Sequence, residues 1–322
     1  MIARSYIGRK WLNFFQSLLI ITAMSGILAL LGWLIAGKSG VVWAFVTGAA
    51  ALFVSAGLSP WSMVLRMYNA RFLRPEQAPA LYQTLSLISR KAGLNRNPDL
   101  FYIPSHAVNA FSMGNKKRPI IAVTDGLLRT LNLRELGAVL AHEISHIRNN
   151  DIKIMNMADV VSRMNALLAL SGQILLFINL PLIITEGYYI SWWIIAVLIL
   201  APTISTIMQL ALSRTREFDA DIDAALITND PMGLVQALAK LEYKTPGWLM
   251  GILRPGKKTD LPSILRTHPR TKDRIERLIS LAEDIKGQEH DRPESEYLVL
   301  PVSTPALKPR KSRGLRGIRF FE

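Results

Sequence analysis

Four stretches of this chain hold no Asp, Glu, Lys or Arg: Trp11 to Gly37, Ser39 to Leu65, Met164 to Thr185 and Gly187 to Ser213. Each reaches the roughly 20 residues that a helix needs to cross a bilayer core about 30 Å thick. Lipid offers a bare backbone no hydrogen bonds, so a segment that enters it must pair its own N–H and C=O groups, as a helix does. The sequence therefore predicts a mainly α membrane protein with four transmembrane helices. The rival, four buried helices of a soluble core, leaves the charges around them unexplained. The first stretch is too long for the apolar part of a cleaved signal peptide, and a second follows almost at once.

Half of the residues are hydrophobic, yet the net charge is +14, and mean hydropathy is +0.24. The basic residues are placed unevenly. One side of the predicted spans collects Arg4, Arg9, Lys10, Arg66, Arg148, Arg163, Arg214 and Arg216, and the other has Lys38 and Glu186. The positive-inside rule puts both termini and both long soluble stretches in the cytoplasm, as in a multi-pass protein of the cytoplasmic (inner) membrane. Trp11, Trp33, Trp192 and Trp193 lie near span ends, where indoles favour the interface. The chain has no cysteine, which removes disulfides and thiolate metal sites. It divides into an N-terminal transmembrane hairpin (1–65), a first cytoplasmic part (66–163), a second hairpin (164–213), a second cytoplasmic part (214–286) and a basic tail expected to be disordered (287–322).

Residues 141–147 read AHEISHI. Asn132 stands three before Glu135, as in a capping box, and Leu136, Val139, Leu140, Ile144 and Ile147 then recur at helical spacing. His142 and His146 share one face, one turn apart, so both imidazoles can reach one metal. Glu143, rotated by about 100°, can address a water held there. A catalytic zinc takes three protein ligands and leaves a place for water, from which a carboxylate can remove a proton. The plain alternative is a helix with two surface histidines and a neighbouring glutamate, and a third ligand decides between them.

SRTREFDADIDAA, residues 213–225, follows the fourth span directly. Glu217 and Asp221 are four apart and share a face. Glu217 is assigned as the third zinc ligand, and Asp221 as the group that holds a ligand histidine through its other ring nitrogen. Read locally, the segment is first a solvated acidic helix paired with Arg214 and Arg216, and topology changes that balance. Two crossings separate His146 from Glu217, and an even number returns the chain to the same side of the membrane. The zinc site should then lie at the cytoplasmic membrane surface.

AHEISH, SRTREFDAD and THPRTKDRIERL, with NAFSMG and IIAVTDGLL upstream, resemble the HtpX-type membrane zinc endopeptidases, relatives of the type I CAAX prenyl proteases. The likeness covers most of residues 66–285. It implies a cytoplasmic, gluzincin-like α+β metalloprotease domain with a small β-sheet beside the active-site helix. It implies one zinc on His142, His146 and Glu217, Glu143 as general base, and quality control of cytoplasmic-membrane proteins. It also sets Asn109 and Ala110 along the substrate path. The extended basic tail departs from the family pattern.

Leu100–Ile103, Val108–Met113 and Ile120–Thr124 read as short strands, with 114–117 a polar turn. A strand edge beside the zinc helix could take an unfolded or membrane-protein polypeptide as an added strand, with broad sequence preference. His268, before Pro269, is expected to stabilise the oxyanion, with Arg270 in support, although a turn or helix start would also use a histidine there. His106 and His290 read as loop and tail residues. The chain has no P-loop and no G-x-G-x-x-G, so nucleotide use is not indicated. The tail's Lys308, Arg310, Lys311, Arg313, Arg316 and Arg319 form a solvated run or a contact with anionic lipid, and nucleic acid is not expected as a partner. Two rival functions are a catalytically silent metal-binding scaffold and a processing protease for lipidated C-termini.

Overall fold

The structure, a computed structural model, describes residues 2–57, 60–185, 191–244 and 271–289. Helices α1 (Ile2–Gly57) and α2 (Pro60–Met67) lead into strand β1 (Arg71–Phe72) and helix α3 (Pro79–Lys91). Strands β2 (Asp99–Ile103), β3 (Ala110–Asn115) and β4 (Arg118–Thr124) precede helices α4 (Asp125–Thr130) and α5 (Leu133–Asn149). Then come α6 (Asp151–Thr185), α7 (Trp192–Thr228), α8 (Pro231–Lys244) and α9 (Thr271–Glu289). The chain separates into two compact units, Met1–Ser59 with Lys153–Arg216, and Pro60–Ile152 with Glu217–Glu322.

Among the described residues, three helices are long and apolar enough to cross a membrane: Trp11–Val54, Asp151–Asn179 and Trp192–Thr228. The first of these belongs to α1, which breaks at Ala36 and Gly37, where Gly37 takes a left-handed φ of 57°. Its two arms fold back on each other. A Cβ on Gly48 would lie 3.8 Å from Leu28 Cδ2, whereas a straight helix would hold those residues about 30 Å apart. At the bend a Cβ on Gly40 would stand 1.9 Å from the Gly32 carbonyl oxygen, so only glycine permits the turn there. The described part of the second arm runs to Gly57, and α2 is described from Pro60, both within the apolar run predicted from Ser39 to Leu65. Within this unit Met24, Ala158 and Leu212 pack together, as do Leu31, Leu198 and Ala201. The charge-free part of α7 stops at Ser213, because Arg214, Arg216 and four carboxylates follow in the same helix, groups that are costly in lipid.

The second unit holds a four-stranded mixed sheet in the order β1-β2-β4-β3. β4 is central, parallel to β2 and antiparallel to β3, and Pro119 through Thr124 are all buried. This is the continuous apolar reading of a strand covered on both faces. β3 lies at the sheet's edge. The turn before β4 is Lys116–Lys117 alone, because Gly114 and Asn115 pair with Pro119 and Arg118. The Asn115 side chain accepts hydrogen bonds from the Lys117 and Arg118 amides and so closes the hairpin.

Helix α5 runs through the core of this unit. Asn132 caps it, with Glu135 returning the bond to the Asn132 amide at 3.0 Å. Leu136, Leu140, Ile144 and Ile147 pack with Leu81, Leu85 and Ile88 of α3 and with Leu234 and Leu238 of α8. Each such side chain contributes about 1.5–3 kcal/mol by leaving water. Arg134 reaches Asp230 through two bonds of 2.5 and 2.7 Å, and Lys240 reaches Glu135 at 2.7 Å. These pairs lock the start of α5 to α8 and leave its second half to carry the site.

Candidate metal centre

The apolar stripe of α5 turns its other face, with His142 and His146, toward α7. His142 Nε2 stands 3.2 Å from His146 Nε2. Glu217 approaches both, with Oε2 at 3.4 Å from His142 Nε2 and Oε1 at 3.6 Å from His146 Nε2. One ligand atom from each of the three residues lies within 4.8 Å of the others.

The outer ring nitrogens meet carboxylates. His142 Nδ1 lies 3.0 Å from Asp221 Oδ1, and His146 Nδ1 lies 2.9 Å from Asp151 Oδ2. A carboxylate there keeps the proton on Nδ1 and turns the Nε2 lone pair inward. Two lone pairs and a carboxylate then face one another, an all-acceptor cluster that calls for a cation or protons between them. This donor set fits a divalent metal of the zinc class. Without one, protons fill the gap. Burial pulls the His142 imidazole toward neutrality, but hydrogen bonds to Asp221 and Glu217 outweigh it and hold its pKa above the ordinary histidine value. His146 is held well above that value in the same way, by Asp151 and Glu217 against burial.

Arg274, on α9, closes the cluster from a third element. Its guanidinium grips Asp221 through bonds of 2.7 and 2.6 Å and stands 3.3 Å from Glu217 Oε2. Although burial raises the Asp221 carboxyl, Arg274 and His142 together bring it below its usual value. Glu143 is buried on α5 between the two histidines in sequence, and its charge acts on Arg274. Behind the cluster a further buried carboxyl, Asp223, accepts from Ser145 Oγ at 2.8 Å and Asn149 Nδ2 at 2.7 Å.

The structure therefore brings together His142, Glu143, His146, Glu217 and Asp221. Ala110 is the buried first residue of β3. Asn109, just before it, is tied by its backbone to Thr124, whose Oγ1 accepts from its amide at 3.0 Å. His106 is exposed in the loop before β3. His268, Arg270, His290 and the basic tail lie outside the described residues.

Sequence reading missed Asp151, Arg274 and Asp223. Asp151 had a local signal. Asn150 takes a left-handed φ of 57° and ends α5, so the next residue is swung back toward His146. Arg274 sits in the quoted THPRTKDRIERL, but nothing local aims it at residues some fifty positions earlier. Asp223 looked like one more charge on an acidic helix.

The chain matches the model of peptidase family M48 over residues 75–282. It is 36% identical over 275 residues to a protease HtpX homolog of Pyrococcus furiosus, covering 82% of this chain and 94% of that one. A protease HtpX homolog of Persephonella marina is 35% identical over 283 residues, covering 83% and 96%. A crystal structure of S. mikatae Ste24p aligns at a TM-score of 0.48 with 17% identity, covering 84% of this chain and 66% of that one. With a largely buried His-His-Glu cluster on HEXXH and a following helix, and with relatives matched along nearly their whole length, the chain belongs to peptidase family M48 as an HtpX-type metalloendopeptidase.

Proposed function

We propose that this protein hydrolyses peptide bonds in misfolded or damaged membrane proteins at the cytoplasmic face of the inner membrane. The observation that supports this best is the convergence of His142, His146 and Glu217 within 4.8 Å from two helices. Those three residues would hold one zinc ion. When bound, zinc lowers the pKa of a water and polarises a carbonyl. Asp221 and Asp151 keep the Nδ1 protons in place, so both Nε2 atoms stay available as ligands. Glu143 takes a proton from the attacking water and returns it to the leaving amine. His268 would donate to the carbonyl oxygen as it gains charge, with Arg270 in support.

The peptide would lie along the free edge of β3, from Asn109 and Ala110 onward. Main-chain bonds hold it there, so preference for sequence is broad. The back-folded arms of α1, together with α6 and α7, would make four passes, and the basic residues that flank them support a reading with both termini in the cytoplasm. A silent scaffold would need a closed site, and a structural zinc normally has four protein ligands. Among the described residues the cluster has three.

Glu143→Gln tests the reading. Purified with bound metal measured by elemental analysis, the variant should keep its metal and lose about 10²–10⁴-fold in cleavage of a casein or membrane-protein substrate. Equal cleavage by the two proteins would overturn the mechanism. Chelation should silence the wild type, and zinc should restore it.

A further inference from the structure

Behind the metal cluster three side chains bond to one another. Asp223 is 1% exposed and Ser145 is fully buried. Ser145 Oγ donates to Asp223 Oδ2 at 2.8 Å, and Asn149 Nδ2 reaches the same oxygen at 2.7 Å. Asn149 Nδ2 also reaches Ser145 Oγ at 3.1 Å, which closes the ring. Ser145 directly precedes His146 on α5, and Asp223 follows Glu217 by six residues on α7. The ring thus joins the two helices that supply the ligand atoms.

We propose that Asp223, with Ser145 and Asn149, is a positioning junction that sets the rotation and slide of α5 against α7, and so the distances among His142, His146 and Glu217. This rests on the metal-centre reading above. The argument is geometric. Near the cluster the helices meet through Asp221, 3.0 Å from His142, and through Glu217, 3.4 and 3.6 Å from His142 and His146. Those contacts all run through the ligand cluster, so they do not hold its geometry independently of it. A second attachment, outside the cluster and displaced along both helices, does. A metal site tolerates about 0.5 Å of error in its ligands, and a tilt of about 6° exceeds that one turn, about 5.4 Å, away.

The chemistry agrees with a junction that has been kept for geometry. A buried carboxyl facing neutral donors is an expensive group, and burial pushes its pKa from 3.8 up to about 7. Asp221, two residues earlier, is compensated by a guanidinium at 2.6 Å. A small apolar residue at 223 would avoid the cost and lose the second attachment.

The test compares metal affinity with stability in the purified full chain. Zinc affinity is read by competition with a chromophoric chelator, Co²⁺ site geometry by visible absorption, and folding by thermal unfolding of the chelated protein. His142→Ala is the control for the reading itself: if wild type binds zinc and this variant does not, the ligand set stands. Asp223→Ala should then weaken zinc binding about tenfold, toward the lower end of the effect of losing a ligand's own partner, and change the Co²⁺ spectrum. Asn149→Ala, at the partly buried rim, should do the same to a lesser degree, and keeps the test open if Asp223→Ala does not fold. Asp223→Asn retains an acceptor and should restore near wild-type affinity. Lower melting with unchanged zinc affinity and spectrum in Asp223→Ala and Asn149→Ala would overturn the proposal, leaving the junction only a packing element. Loss of zinc by none of the variants, His142→Ala included, would instead sink the ligand assignment.

Discussion

Phe53, Ile184 and Trp193 in the long-helix unit are 81%, 83% and 79% exposed, whereas Glu143, Glu217, Asp221 and Arg274 in the other unit are each 7% exposed or less. The first unit turns its largest apolar groups outward, and the second draws charges inward around a site. One chain therefore follows two solvents. Where lipid surrounds the helix, apolar groups lose nothing by facing out, and polar ones such as Asn165 seek partners within, here Ser205 at 2.7 Å. Where water surrounds the fold, apolar area drives burial, and a charge goes inside only with compensation.

The contrast can be broken most sharply at its charges. Arg274→Met leaves Asp221 and Glu217 without their buried guanidinium and should cost about 3–5 kcal/mol in thermal unfolding in detergent. Arg163→Met removes an exposed pair with Asp159 and should cost under about 1 kcal/mol. Similar losses for the two would erase the distinction between inside and outside. The apolar side of the comparison comes next. Leu140→Ala opens the core of the second unit and should cost about 2–5 kcal/mol. Phe177→Ala, at an exposed position on α6, should shift urea midpoints by less than the equivalent of about 0.5 kcal/mol.

A pH effect separates two carboxyls on one helix, Asp223 and Asp221, whose pKa values folding shifts in opposite directions. Folding raises the Asp223 carboxyl from 3.8 to about 7, so between those values the native state keeps a proton that the unfolded state has lost. That contribution to stability is complete below 3.8 and is lost as pH rises to about 7. Asp223→Asn lacks the titration, so its stability should fall less steeply over the same interval, measured on chelated protein by urea unfolding. Parallel curves would count against the buried-carboxyl assignment. A local effect concerns the residue that swings Asp151 into place. Asn150→Ala must hold a φ of 57° and should cost about 1 kcal/mol, while Asn150→Gly should be near neutral. A calorimetric difference of zero between them would remove the strain argument.

Much of the molecule was legible in the residues because the signals are local. Charge-free runs marked the long helices. The capping box at Asn132 and Glu135 fixed the start of α5, and short runs about a polar turn found three of the four strands. β1 escaped because two residues carry no period. The polar turn was read two residues too long because Gly114 and Asn115 are turn-formers that the hairpin here uses as strand. At the site, the two histidines declared themselves through helical spacing, since four residues of a helix give one face whatever the surroundings. Asp151 and Arg274 did not, because their roles exist only after α6 and α9 have folded against α5 and α7.

The sequence by itself determined which segments are apolar enough for a membrane, where the central helix begins, and that two imidazoles share a face with a glutamate beside them. These follow from backbone geometry and hydropathy within a few turns of chain. Tertiary structure alone decided which carboxylate serves which imidazole, that a guanidinium from α9 compensates Asp221, and that Asp223 joins the two ligand-bearing helices. Those pairings depend on how helices pack, and a packing angle is set by side chains far apart in sequence acting together.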